Sequence, residues 1–227
     1  MSNLVSYDYA DSICRITLDD GKVNSISSAM VKALNQALDQ AEKDHGVVLL
    51  AGRPGIFSAG FDLKERARGP EDAANLRRSG ALLAERLFSF PKPVVIACTG
   101  HAIAMGSFLL LTATSRVGAD GAYKIGANEV AIGMSVPPFA VELSRFRLAN
   151  NYLTRALTTA EIFSPTQAHK AGFLDQVCDP RNVVEEAHKI ALQLAAQNAE
   201  GYLKTTQLLR APTLNAIRKQ LELLDSN

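Results

Sequence analysis

Tryptophan is missing from this sequence, and cysteine occurs only three times, at Cys14, Cys98 and Cys178. An odd, widely spaced set of thiols in apolar segments argues against a disulfide framework. It points to a reducing compartment, expected here to be the cytoplasm. No C-x-x-C or H-x-x-x-H spacing occurs, so no metal site is expected. Charge of one sign is lacking too: 24 Lys and Arg stand against 23 Asp and Glu, a net charge of +1. That balance gives no basic stripe for nucleic acid. The nine Phe and five Tyr are scattered rather than interleaved with basic residues. No apolar run approaches the ~18 residues of a membrane span. The first residues show no basic segment followed by an apolar run, so no signal peptide is expected. Internal repeats and low-complexity tracts are absent as well.

Strand patterns alternating with helical ones fill most of the chain. Segments 4–9 and 13–18 read as paired strands around Ala10-Asp11-Ser12. Ser27 is placed to cap a helix ending near Asp44, with Met30, Leu34, Leu38 and Ala41 on one face. Segments 47–51 and 94–98 are short apolar runs that read as buried strands. Between them, 66–75 reads as an exposed, mobile loop, and 76–90 as a helix stopped by Pro91-Lys92-Pro93. Segments 115–119 and 122–125 are further strand candidates, followed by helices at 139–148 and 152–157. Ser164-Pro165 opens a short helix that Gly172 ends. From Val183 onward the pattern is helical, in pieces 183–198, 201–209 and 213–224. The order predicts an α/β fold, with a core over 1–163 and a helical region over 164–227 that serves packing between subunits.

Two glycine-bearing turns carry the functional signal. Gly100, Ala102, Ala104, Gly106 and Ser107 follow the strand 94–98 and lead into an apolar helix. Small side chains there leave the N–H groups of a helix start uncovered, where negative charge can be held. Ser58-Ala59-Gly60-Phe61-Asp62 repeats the arrangement after the strand 47–51. Two such turns supply two N–H donors for one oxygen, an oxyanion hole built from backbone. The same residues are equally what close helix–strand packing requires. Ser107 has a flanking glycine on only one side, unlike a nucleophile elbow, and Cys98 sits among Ile96, Ala97 and Thr99 as a core thiol. Glu129 lies in an uncharged stretch, Gly126 to Gly133. Apolar surroundings would make it a proton shuttle, although most loop glutamates are solvated.

Five segments, in order, resemble the crotonase superfamily, the enoyl-CoA hydratase/isomerase family. They are Gly21-Lys22-Val23-Asn24-Ser25-Ile26, Phe57 to Leu63, Lys92-Pro93-Val94-Val95-Ile96, Gly100 to Gly106, and Ser164 to Val177. The resemblance, over about residues 4–210, implies a spiral of β-β-α turns followed by a C-terminal helical trimerisation region. It implies a homotrimer or dimer of trimers and an acyl-CoA thioester substrate, with coenzyme A part of the substrate and no separate cofactor. By motif, it places the oxyanion donors at Ala59 and Met105 and the catalytic carboxylate at Glu129. It places substrate contacts at Lys22, Val23, Ala59, Gly60, Phe61, Asp62, Leu63, Met105 and Phe108. Lys22 and Lys64 are the candidates for phosphate contacts. Where the hydratase pattern has its first glutamate this chain has Phe108, and where the family has Gly-Gly-Gly it has Ala104-Met105-Gly106. A single carboxylate facing an apolar wall resembles the isomerase branch, which moves a 3-enoyl double bond to the 2-position. A hydratase, another crotonase-type reaction such as thioester hydrolysis or racemisation, or a non-catalytic acyl-CoA binder are the alternatives. The final helix that in relatives covers the coenzyme is expected to be missing.

Overall fold

A computed structural model describes residues 4–225. Strands β1 (Val5–Ala10) and β2 (Ile13–Leu18) form an antiparallel hairpin. Asp11 and Ser12 close it with φ of 52° and 63°. Left-handed backbone at both positions matches the twist of the flanking strands. From β2 the larger sheet continues in parallel through β3 (Val47–Ala51), then β5 (Val94–Cys98), β7 (Ser115–Ala119) and β9 (Gln176–Cys178). A second sheet holds β4 (Gly55–Ser58), β6 (Gly100–Ile103) and β8 (Ile125–Gly126), also parallel and in that spatial order. Each of β3, β5 and β7 is followed by a strand of the second sheet and then by helix. This is the β-β-α spiral.

The continuous apolar runs of β3 and β5 are explained by burial on both faces. Side chains alternate along a strand, so Val47, Leu49, Val95, Ala97 and Val117 face one way. They pack against Val183, Ala187 and Ala191 of α8 (Val183–Ala195). Val48, Leu50, Ile96 and Cys98 face the main core, which α1 (Ser28–Asp44) covers with Met30, Leu34, Leu38 and Ala41. Ser27 caps α1, its Oγ accepting from the Met30 N–H at 3.1 Å.

Several elements differ from the sequence reading; the strand expected at 122–125 is only the two-residue β8, and β4 was not expected. Only 66–69 of the expected loop stays outside a long helix: α2 (Leu63–Arg66) is brief, and α3 (Pro70–Phe88) opens on a proline with Glu71 and Asp72 in its first turn. Proline at the first helical position loses no bond, and acidic residues there complement the dipole. The expected turn at 100–103 is strand β6, because pairing to β4 and β8 overrides its small-residue composition. The expected break near residue 212 is absent: α9 (Ala199–Asp225) runs through Pro212. Its buried side, Arg210, Leu214, Ile217 and Leu221, outweighs the missing N–H donor. One continuous 27-residue helix therefore stands where two pieces, 201–209 and 213–224, were expected.

The chain also crosses the expected boundary at 163/164. Strand β9 completes the larger sheet beside β7, and Leu214, Ile217 and Leu221 share the main core. Arg116, on β7, ties the two parts together: its Nε and Nη2 donate to the Asp175 carboxylate at 2.9 and 2.5 Å. Among the described residues no helix is long and apolar enough to cross a membrane.

Candidate active site

The smaller sheet organises the site. Three adjacent parallel strands each end in one of its parts: β4 runs into Ala59-Gly60-Phe61-Asp62, and β6 into Ala104 and helix α4 (Met105–Thr112). Past β8, two residues lead to Glu129.

In the first turn, the Ile26 N–H donates to Gly60 O at 2.8 Å and the Asp62 N–H to Ile26 O at 3.1 Å. Asp62 caps α2 by accepting from the Lys64 and Glu65 N–H groups. The Ala59 N–H donates to Val23 O at 3.0 Å. That bond corrects the assignment of Ala59 as a donor to substrate, because its hydrogen is already engaged. The Phe61 N–H lies between the two Ile26 bonds and has no acceptor among the described residues. Gly60, at φ 92°, makes the close approach to the second turn: a Cβ there would lie 2.8 Å from Ala104 Cβ and 3.3 Å from Met105 N.

The second turn is strained. Ala104 has φ 51° and ψ −125°, a region that favours glycine. Its N–H donates to Gly126 O at 2.9 Å, and its carbonyl accepts from the Ser107 and Phe108 N–H groups and from Ser107 Oγ. This reversal makes Met105 the first residue of α4, where an N–H has no acceptor within the helix. The Phe61 and Met105 amides are thus among the uncommitted donors of the two touching turns.

Glu129 is 4% exposed, and its Oε2 has no partner among the described residues. The solvated-loop reading of Glu129 is therefore corrected. Burial pushes its carboxyl above the usual range, while its own backbone and the Arg66 charge act against that rise. Its carbonyl accepts from the Ile132 and Met134 N–H groups, and Arg66 Nη1 reaches Met134 Sδ at 2.7 Å. The loop carrying Glu129 is thereby tied to α2, beyond the first turn. Phe108 is fully buried on α4, edge-on to Phe139 with ring centroids 6.3 Å apart.

Lys22, Val23, Ala59, Phe61, Asp62, Leu63 and Lys64 line one cleft of about 450 Å³. Met105, Phe108 and Glu129 are buried and do not line that cleft; Gly60 lies beneath it. Asn24 and Ser58, which the sequence reading did not single out, hold the Lys22–Val23 loop to the first turn. Buried Asn24 donates from Nδ2 to Leu18 O and Phe57 O, both at 3.1 Å, and its carbonyl accepts from Ser58 Oγ at 2.8 Å. A polar side chain among Ile56, Phe57 and Ala59 was the available signal for Ser58; Asn24, in Lys22-Val23-Asn24-Ser25, offered none. A second, apolar cavity of about 290 Å³ lies between α3, α5 (Pro138–Arg147) and α9, with Phe139 in its wall. No cluster of three or more potential metal ligands occurs among the described residues.

Similar proteins carry both activity names. The chain is 43% identical to the Mtb enoyl-CoA isomerase in its apo structure, with TM-score 0.95 and full coverage of both chains, 100% and 100%. It is 41% identical to an enoyl-CoA hydratase from Mycobacterium marinum, with TM-score 0.94 and 99% of each chain covered. A probable enoyl-CoA hydratase of Bacillus subtilis is 29% identical over 97% of this chain and 87% of its own length. The family model described as "Enoyl-CoA hydratase/isomerase" matches residues 8–226. On that match and on the paired turns of its smaller sheet, the chain belongs to the enoyl-CoA hydratase/isomerase family.

Proposed function

We propose that this member of the family is an isomerase, which moves the double bond of a 3-enoyl-CoA to the 2-position with Glu129 as the proton shuttle. One observation carries the reading. Glu129 is a buried carboxylate with an unpartnered oxygen, and the position that would hold a second glutamate is Phe108, buried against Phe139.

The chemistry needs one base and one stabilised oxyanion. The ionised Glu129 takes a proton from C2, and the C–H electrons move into the thioester carbonyl to form a dienolate. The N–H groups of Phe61 and Met105 hold that oxygen; losing one such donor costs about 3 kcal/mol of barrier. Protonated Glu129 then returns its proton to C4, leaving the double bond between C2 and C3. Burial suits the first half, since a carboxyl whose pKa is raised is a stronger base when ionised. Phe108 presents no group that could orient water, which a hydratase requires.

The cleft beneath Lys22 and Lys64 suits the phosphates of coenzyme A, and the apolar cavity walled by Phe139 suits an acyl tail. Assembly into trimers is part of the same reading. Its support is the exposed pair Leu208 and Leu209 on α9, 79% and 64% accessible.

The test offers purified protein a 3-enoyl-CoA and, separately, a 2-enoyl-CoA, while the absorbance of the conjugated thioester is followed. A rise with the first and no fall with the second is the expected result. A fall with the second, with 3-hydroxyacyl-CoA appearing, would overturn the isomerase reading in favour of a hydratase. No change with either would leave another acyl-CoA reaction or binding alone.

A further inference from the structure

Helix α3 holds one glycine, Gly80, at a buried interior position. Glycine weakens a helix interior, so its place there calls for a packing reason. A Cβ on Gly80 would lie 2.5 Å from both Cε1 and Cζ of Phe61 and 3.5 Å from Met105 Cε. The side chains of Phe61 and Met105, whose amides are uncommitted, therefore rest together on the bare Cα of Gly80. Phe61 is only half-buried and also lines the 450 Å³ cleft. A ring displaced from α3 moves toward that cleft and pulls on the peptide that carries its N–H.

We propose that Gly80 is a positioning residue: it seats the Phe61 ring against α3, keeping the ring out of the substrate cleft and the Phe61 N–H in line with that of Met105. The inference rests on the amide pair assigned above. Gly80 itself touches no substrate. Its action passes through Phe61, which is why the effect of adding a methyl group must depend on the Phe61 ring.

The probe is acetoacetyl-CoA, whose thioester carbonyl becomes a chromophoric enolate when an oxyanion site stabilises it. Wild type is expected to give the enolate band. Gly80→Ala is expected to bind this enolate about tenfold more weakly and to lower kcat by a similar factor, since small misplacements of catalytic donors have effects of this size or larger. The contrast that isolates the mechanism is Phe61→Ala against the double variant Gly80→Ala/Phe61→Ala. With the ring gone, the added methyl has nothing to displace, and the two are expected to agree within about twofold in band and kcat, an additivity failure typical of touching residues.

A wild-type band that Gly80→Ala leaves intact would overturn the role of Gly80 while leaving the amide pair standing. So would a double variant that falls below Phe61→Ala by the same factor as the single change, because the defect would then belong to the helix. Absence of the band from wild type would overturn the amide pair and this inference together. Where Gly80→Ala alone yields no folded protein, the comparison of Phe61→Ala with the double variant decides.

Discussion

Glu129→Gln exchanges one carboxylate oxygen for an amide nitrogen and leaves shape and burial unchanged. General acid–base groups typically contribute about 10²- to 10⁴-fold to rate. Glu129 is buried and its Oε2 has no hydrogen-bond partner among the described residues, so none of them is bonded there to take over its proton. The upper half of that range is expected, a fall in kcat of about 10³- to 10⁴-fold, or about 4 to 5.5 kcal/mol of barrier. KM should change little, because the cleft residues are untouched. The assay is the rise of conjugated thioester absorbance from a 3-enoyl-CoA.

The same variant has a pH signature in stability. Burial raises the Glu129 carboxyl in the folded state, so the folded protein holds its proton to higher pH than the unfolded chain. Stability conferred by Glu129 therefore falls as pH rises from the unfolded value, about 4.3, through the raised folded one. Gln has no such loss. The melting temperature of Glu129→Gln relative to wild type should climb across that window and level off above it. Isomerase activity that persists undiminished in Glu129→Gln would refute the assignment of the base. A melting difference that is flat with pH would refute the raised carboxyl.

Three further changes test other parts of the reasoning. Phe108→Glu should raise hydration of a 2-enoyl-CoA relative to isomerisation, measured as the product ratio. It should also cost about 4 kcal/mol or more of stability, since it removes a buried ring and introduces an unpaired carboxyl; an unchanged ratio would count against water exclusion. Ala104→Gly should stabilise the protein by about 1 kcal/mol in thermal melts by relieving the φ of 51°. A lower melting temperature would show that Ala104 is not strained. Asp175→Asn breaks the pair with Arg116, whose side chain is 4% exposed against 42% for Asp175. Because one partner is partly solvated, a loss of about 2 kcal/mol in urea unfolding is expected, below the range for fully buried pairs.

Much of the fold was legible because local rules and tertiary context agree. The cap at Ser27, the hairpin at Asp11-Ser12, the apolar runs of β3 and β5, and the Ser164-Pro165 and Gly172 boundaries of α7 (Pro165–Ala171) all express short-range physics. Where the two disagree, pairing and burial win. The small residues of β6 take a strand because β4 and β8 flank them, and Pro212 stays inside α9 because the helix has a buried side to keep.

The site divides along the same line. Residue types and their order along the chain marked out the two glycine-bearing turns and the one glutamate in an uncharged loop on which the proposed chemistry rests, because those chemical needs are written in side-chain size and charge. Which amide faces outward could not be read that way. Ala59 and Phe61 are two residues apart, and only the pairing with Val23 and Ile26 decides which hydrogen is engaged. The burial of Glu129 and the seat that Gly80 offers Phe61 were likewise decided by the tertiary structure. Desolvation and close contact arise from residues distant in sequence, and a chain read in order does not contain them.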